Sequence, residues 1–204
     1  MEVQLNFINN SNDANNSQIV IFQKNVAADV IDAPIAWTVI DNCGVGENHP
    51  FTWHTNMAVS SSDMSGNYTR QIIARPGQGF SAFHDGNADT LTPSNPSIHP
   101  GEIEVGNNML DVSVNAHIFN SGKRVATQLL KPAQAARFEF NPVISIGATS
   151  QLREGDVLSA AVLAEIGTEL TLRGVASADI VMTGGGVGPT ATPFVFSLEN
   201  VKHG

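Results

Sequence analysis

The chain has 204 residues, 42% of them hydrophobic, a formal net charge of −9 and only 14% charged side chains. That apolar content excludes a disordered chain and suffices for a core. Ten Lys and Arg residues without a basic stripe exclude nucleic-acid binding through phosphate neutralisation, and one cysteine excludes an intramolecular disulfide framework.

The first residues, MEVQLNFINN, carry neither a basic nor an apolar leader region, and no later apolar run reaches transmembrane length. The chain therefore reads as cytoplasmic or exported by a non-classical route. Val3, Leu5 and Phe7 alternate with polar neighbours, the signature of a half-buried strand. NNSNDANNS breaks that pattern with turn-forming residues, and QIVIFQKNV and IAWTVI resume it. DNCGVGENHP is a turn by composition, followed by the short strands TNMAVSSS, NYTRQIIA and GFSAFHDG.

Residues 85–100, DGNADTLTPSNPSIHP, hold three prolines and no periodicity, so they read as a long loop. In DVSVNAHIF, Val112, Val114, Ala116 and Ile118 share one face, while Ser113, Asn115 and His117 share the other. Asn120-Ser-Gly-Lys123 supplies a hairpin turn into RVATQLL. The strands ARFEFNPVISIG, ELTLRGV, ASADIVMT and PFVFSLENV complete the series. Residues 156–166 read as strand, with a helix capped by Asp156 as the alternative.

Turns every eight to twelve residues or so predict an all-β fold, an antiparallel β-sandwich of many short strands, with a closed β-barrel as the alternative. One domain over residues 1–204 is expected, with any sub-module boundary in the loop 85–100.

Candidate chemistry concentrates in GENHPFTWHTNM. His49 and His54 lie five apart, on opposite strand faces, and reach one metal only if the chain bends at Pro50. Cys43 and Met57 do not complete the compact order of a blue-copper loop. The simpler reading makes Phe51 and Trp53 core anchors, with Thr52 and His54 facing outward. Asp85, Asn87 and Asp89 space their oxygens like the start of an EF-hand. Thr90 stands where that loop needs Gly, however, and Pro96 where it needs Glu. Asp13, Asn15 and Ser17 fail the same test. TGGGVGPT has no Lys after its glycines and reads as a flexible connection and contact loop that lets another backbone or a ligand approach closely. Glu102 and Glu104 read as two acids on one exposed strand face.

NNSNDANNSQIVIFQKNVA, AWTVIDNCGVGENHPFT and ASADIVMTGGGVGPTATPF together resemble an uncharacterised family of small soluble microbial β proteins, some labelled aromatic ring-opening dioxygenase. That label implies a non-haem iron held by two His and a carboxylate. No such triad matches His49, His54, His84, His99, His117 or His203, so the resemblance implies a single-family β protein and transfers no activity.

The reading that follows is a non-enzymatic binding or self-assembly protein with a neutral polar surface, whose partners are glycans, proteins or further copies of itself. Its contact residues are expected on loops, at Asn12, Asp13 and Asn15 and at Asp85, Asn87 and Asp89. No cofactor is expected. One alternative is a metal-binding protein or metal-dependent enzyme using His49 and His54, with calcium or a transition metal as the ion. A second is a membrane-active, pore-forming β protein built on MAVSSSDMSGNYTRQI.

Overall fold

A computed structural model describes residues 2–27 and 33–204. The chain forms two compact units. The first comprises residues 1–24, 33–55 and 142–204; the second comprises 25–32 and 56–141 and interrupts the first. The loop 85–100 lies wholly inside the second unit. Among the described residues no helix is long and apolar enough to cross a membrane.

The first unit is built from β1 (Glu2–Asn9), β2 (Gln18–Phe22), β3 (Thr38–Ile40) and β4 (Asn48–His54), then β13 (Val143–Thr149), β14 (Thr168–Thr171), β15 (Val175–Gly185) and β16 (Thr192–His203). The intervening β5 (Met57–Ser62), β6 (Ile72–Ala74), β7 (Gly79–His84), β8 (Asp89–Pro93), β9 (Ile103–Asn107), β10 (Val114–Asn120), β11 (Lys123–Leu130) and β12 (Ala135–Phe138) make up the second. Each unit carries two four-stranded sheets. Their orders are β16-β15-β1-β4 and β14-β13-β2-β3 in the first unit, and β11-β10-β5-β6 and β12-β9-β7-β8 in the second. Pairing is antiparallel except for β1 with β15 and β7 with β9. The predicted antiparallel β-sandwich is the fold observed; none of the four sheets closes, so the barrel alternative is set aside.

Alternation determines what each sheet buries. Val3, Leu5 and Phe7 of β1 are buried and register against Trp53 and Phe51 of β4 and against Ala178 and Ile180 of β15. Trp37, just before β3, meets Phe51 edge-on at 6.0 Å. Trp53 is thus the buried core anchor its pattern implied, while Phe51 is only half-buried. In β2 both faces are buried: Ile19 and Ile21 register with Ala148 and Ile146, while Val20 and Phe22 cluster with Ala36, Leu158 and Ile166.

That second cluster explains a departure from expectation. Residues 156–166 are not a strand; α1 (Ala160–Glu165) is a short helix, capped by Ser159, whose hydroxyl accepts a hydrogen bond from Val162 N, rather than by Asp156. Val162 and Leu163 lean on the outer face of β2, so apolar residues without a clean helical stripe are satisfied by one turn lying on a sheet. Gly147 makes room for it, because a Cβ there would sit 2.6 Å from Ile166 Cγ1.

In the second unit Val59, Val114, Ala116, Ile118 and Leu130 face inward from one sheet, and Phe80, Ala82, Ile103, Val105 and Phe138 from the other. Ser121 and Gly122, at φ 52° and 77°, form the predicted two-residue hairpin turn. The expected long loop at 85–100 contains β8, an edge strand in which Leu91 points inward between Thr90 and Thr92. Pro93 ends it, at an edge where the missing N–H breaks no ladder.

Candidate functional site

Two loops that the sequence marks for contact meet in the first unit. The β1–β2 loop is shaped by its own side chains. The Asn9 amide, buried, donates to Cys43 O at 2.7 Å and accepts from Ser11 N and Oγ at 3.0 and 2.6 Å. Asp13 accepts from Asn15 N at 2.9 Å and Ser17 N at 2.6 Å. Each is the local side-chain-to-backbone bond that Asn and Asp make readily in turns. The glycine loop after β15 then docks on this one: Asn12 N donates to Gly184 O at 2.7 Å, and Gly186 N donates to Asn12 O at 3.0 Å. Gly185 has φ 83°, and a Cβ there would lie 2.7 Å from Phe194 Cε1 and 3.2 Å from Asn12 C. The glycines therefore admit a neighbouring backbone, as their spacing suggested, and seat Phe194.

Beside the β1–β2 loop, against residues 148–151, opens a cleft of about 430 Å³. Asn15, Asn16 and Gln18 form one side; Thr149 and Gln151 lie across it, with Phe194 and Glu165 completing the lining. No Lys or Arg lines it. Gln18 is fixed in place, donating to Asp41 Oδ1 at 2.5 Å and Leu152 O at 3.2 Å and accepting from Leu152 N at 2.9 Å. The lining offers amides, hydroxyls, one carboxylate and one aromatic ring. It can exchange many neutral hydrogen bonds and cover one apolar face.

The predicted contact residues divide by role. Asn15 lines this cleft. Asn12 acts through its backbone, and Asp13 and Asp85 are committed to turns. The Asp85 carboxylate accepts from Asn87 N and Ala88 N at 2.9 and 3.0 Å, and those amides hold its pKa below the ordinary carboxylate value. Asn87 sits at the exposed tip of that turn. Asp89 pairs with His84, Oδ1 to Nδ1 at 2.9 Å. Gln151, Glu165 and Phe194 are lining residues that sequence reading did not single out, because nothing local joins three distant segments.

The metal candidates do not converge. β4 runs unbroken from Asn48 to His54 in continuous register with β1, and Pro50 sits in this edge strand without bending it. Five strand residues separate His49 from His54 by roughly 17 Å. Among the described residues no group of three or more His, Cys, Asp or Glu is placed to hold a metal ion. The Cys43 thiol is buried, and burial followed by the nearby Glu47 raises its pKa, which disfavours the reactive thiolate.

Two buried polar residues depart from expectation. Glu102 is not on an exposed face; it is 4% exposed, with Arg137 Nη1 3.8 Å from its Oε2. His117 does face away from the core, as its alternation required, yet it is only 2% exposed. Tyr68 lies over it, ring centroids 4.9 Å apart. Asp63 shapes the turn that places Tyr68, accepting from Ser65 N, Asn67 N and Asn67 Nδ2. The imidazole bridges two hydroxyls, Ser62 Oγ at Nε2 and Thr127 Oγ1 at Nδ1, each at 2.9 Å. Burial first, and Arg124 second, push its pKa down to about 4. A Ser–His contact is the geometry of an activated nucleophile, but so weak a base, with a hydroxyl where the orienting carboxylate would stand, is poorly matched to that task. The network instead satisfies buried polar atoms on the sheet. It also occupies MAVSSSDMSGNYTRQI, which forms β5, the Asp63 turn and the start of β6.

No family model, curated protein or solved structure matches this chain.

Proposed function

We propose that the protein is a non-enzymatic binding protein whose ligand is a neutral, polyhydroxylated molecule of the oligosaccharide class, held in the cleft beside Phe194. The observation that carries this reading is the cleft's lining, in which amide and hydroxyl side chains from two distant segments, 15–18 and 149–151, and the single carboxylate of Glu165 surround one aromatic ring without a cation. Sugars present that mixture in mirror image, with hydroxyls around the rim and an apolar C–H face for a ring. A glycan array followed by calorimetry tests it. Neutral oligosaccharides are expected to bind, and Phe194→Ala or Gln151→Ala should weaken them by about tenfold or more, roughly 1.4 kcal/mol, without changing the thermal midpoint. Failure of every neutral glycan to bind, or binding indifferent to both substitutions, overturns the reading.

Self-assembly has its own support in β16. This twelve-residue strand pairs with β15 along one edge, its other edge pairs with no strand among the described residues, and Val195 and Val201 are exposed. A free edge of that length is a template for strand addition. Sedimentation should show an oligomer that Val195→Lys with Val201→Lys dissociates; a monomer at all concentrations removes this reading.

A further inference from the structure

A second cleft, of about 550 Å³, lies wholly within the second unit, between the β7–β8 hairpin and the segment that joins β9 to β10. The volume is that of a small-molecule pocket. Two independent features define what it would hold.

The first is an apolar wall kept open to water. Leu110 is 97% exposed and Val112 45%, beside Phe83 and the buried Met109. Ordinarily such a loop would fold its leucine inward, but a template prevents it. Asn107, 0% exposed, donates from Nδ2 to Val112 O at 2.9 Å and Leu130 O at 3.0 Å, and accepts at Oδ1 from Met109 N at 2.9 Å. Asn108 N donates to Ala82 O at 2.8 Å, tying the same segment to β7. A buried amide with these bonds satisfied fixes the loop before any ligand arrives, which removes ordering cost from binding.

The second feature is the sign of the polar groups. Asp89 and Asp111 are carboxylates, and no Lys or Arg lines the cleft. His84 Nδ1 is committed to Asp89 at 2.9 Å. A carboxylate only accepts, so Nδ1 is the donor and Nε2 is the ring nitrogen left for a ligand. The polar lining of the cleft therefore asks for a positively charged donor, and the apolar lining interleaved with it for hydrocarbon. An anion would be repelled, and a neutral alcohol could donate a hydrogen bond but would leave the carboxylate charge uncompensated.

We propose that this cleft binds small hydrophobic organic amines in their ammonium form. Leu110 and Phe83 cover the hydrocarbon body, and Asp111, with Asp89, receives the charged head. The site is separate from the cleft beside Phe194 and does not depend on the reading given for it. Calorimetry on the full chain with phenethylammonium, phenethyl alcohol and phenylacetate is the test, with methyl NMR reporting on Leu110 and Met109. The amine should bind saturably and about tenfold more tightly than the alcohol, and phenylacetate should not bind. Asp111→Asn should erase the amine's advantage while leaving the alcohol unchanged, Leu110→Ser should weaken both, and Phe194→Ala should affect neither. Both cleft substitutions fall on exposed loop positions, so folding is not at stake. Equal affinity for amine and alcohol, absence of saturable binding, or amine binding indifferent to both Asp111→Asn and Leu110→Ser overturns the proposal.

Discussion

His117 shows how one residue ties polarity to stability. Its imidazole is neutral at pH 7, buried between Ser62 and Thr127 beneath Tyr68, with Arg124 as the cation nearest in effect. The folded pKa of about 4 lies below the ordinary 6.5, so between those values the unfolded chain binds the proton more readily. Stability should therefore be complete above about pH 6.5 and decline as the pH falls towards 4, by about 3 kcal/mol at most. Denaturant titrations across that window should show the decline, and His117→Asn should flatten it; an unchanged slope in the variant would assign the acid sensitivity to carboxylates instead. The sequence shows that His117 leaves the core face, since alternation sends it there. It does not show that Tyr68 comes back to cover it, because that depends on the Asp63 turn and on pairing between β5 and β10.

At the scale of elements, strands and tight turns were legible and long-range closures were not. β1, β10 and the Ser121–Gly122 hairpin follow from period-two patterning and turn chemistry alone. α1 stood only as the alternative because its apolar residues answer to Val20 and Phe22 of β2, and a six-residue helix leaves too short a pattern to read. The cleft beside Phe194 was half legible: composition marked NNSNDANNS, but only tertiary structure adds Gln151, Glu165 and Phe194. The glycines of the loop after β15 provide a graded test. A Cβ on Gly184 would lie 2.2 Å from Pro193 O, whereas one on Gly188 meets nothing within 4 Å, although both have positive φ. Gly188→Ala should cost about 1–2 kcal/mol for the backbone conformation alone. Gly184→Ala should cost clearly more, because the clash adds to it, and thermal denaturation of the two variants would rank them. Equal losses would mean that the loop around Gly184 yields freely.

For the molecule as a whole, the low charge content leaves cohesion to the two apolar interiors. Lys24–Glu169, at 2.6 Å, is about half-exposed at both ends, and pairs of that kind contribute little. Chain order imposes a stronger constraint than charge does. β1 lies between β4 and β15 in its sheet, and its parallel partner, Val175–Gly185, comes some 170 residues later. The strands of the second unit are all contained in residues 57–138. Synthesis runs from the N-terminus, and domains close as units. The interrupting unit can thus finish on the ribosome while the opening strand still exposes one unsatisfied edge. A nascent chain of this kind carries its own aggregation hazard until β15 is made, because the open backbone edge of β1 can accept a foreign strand.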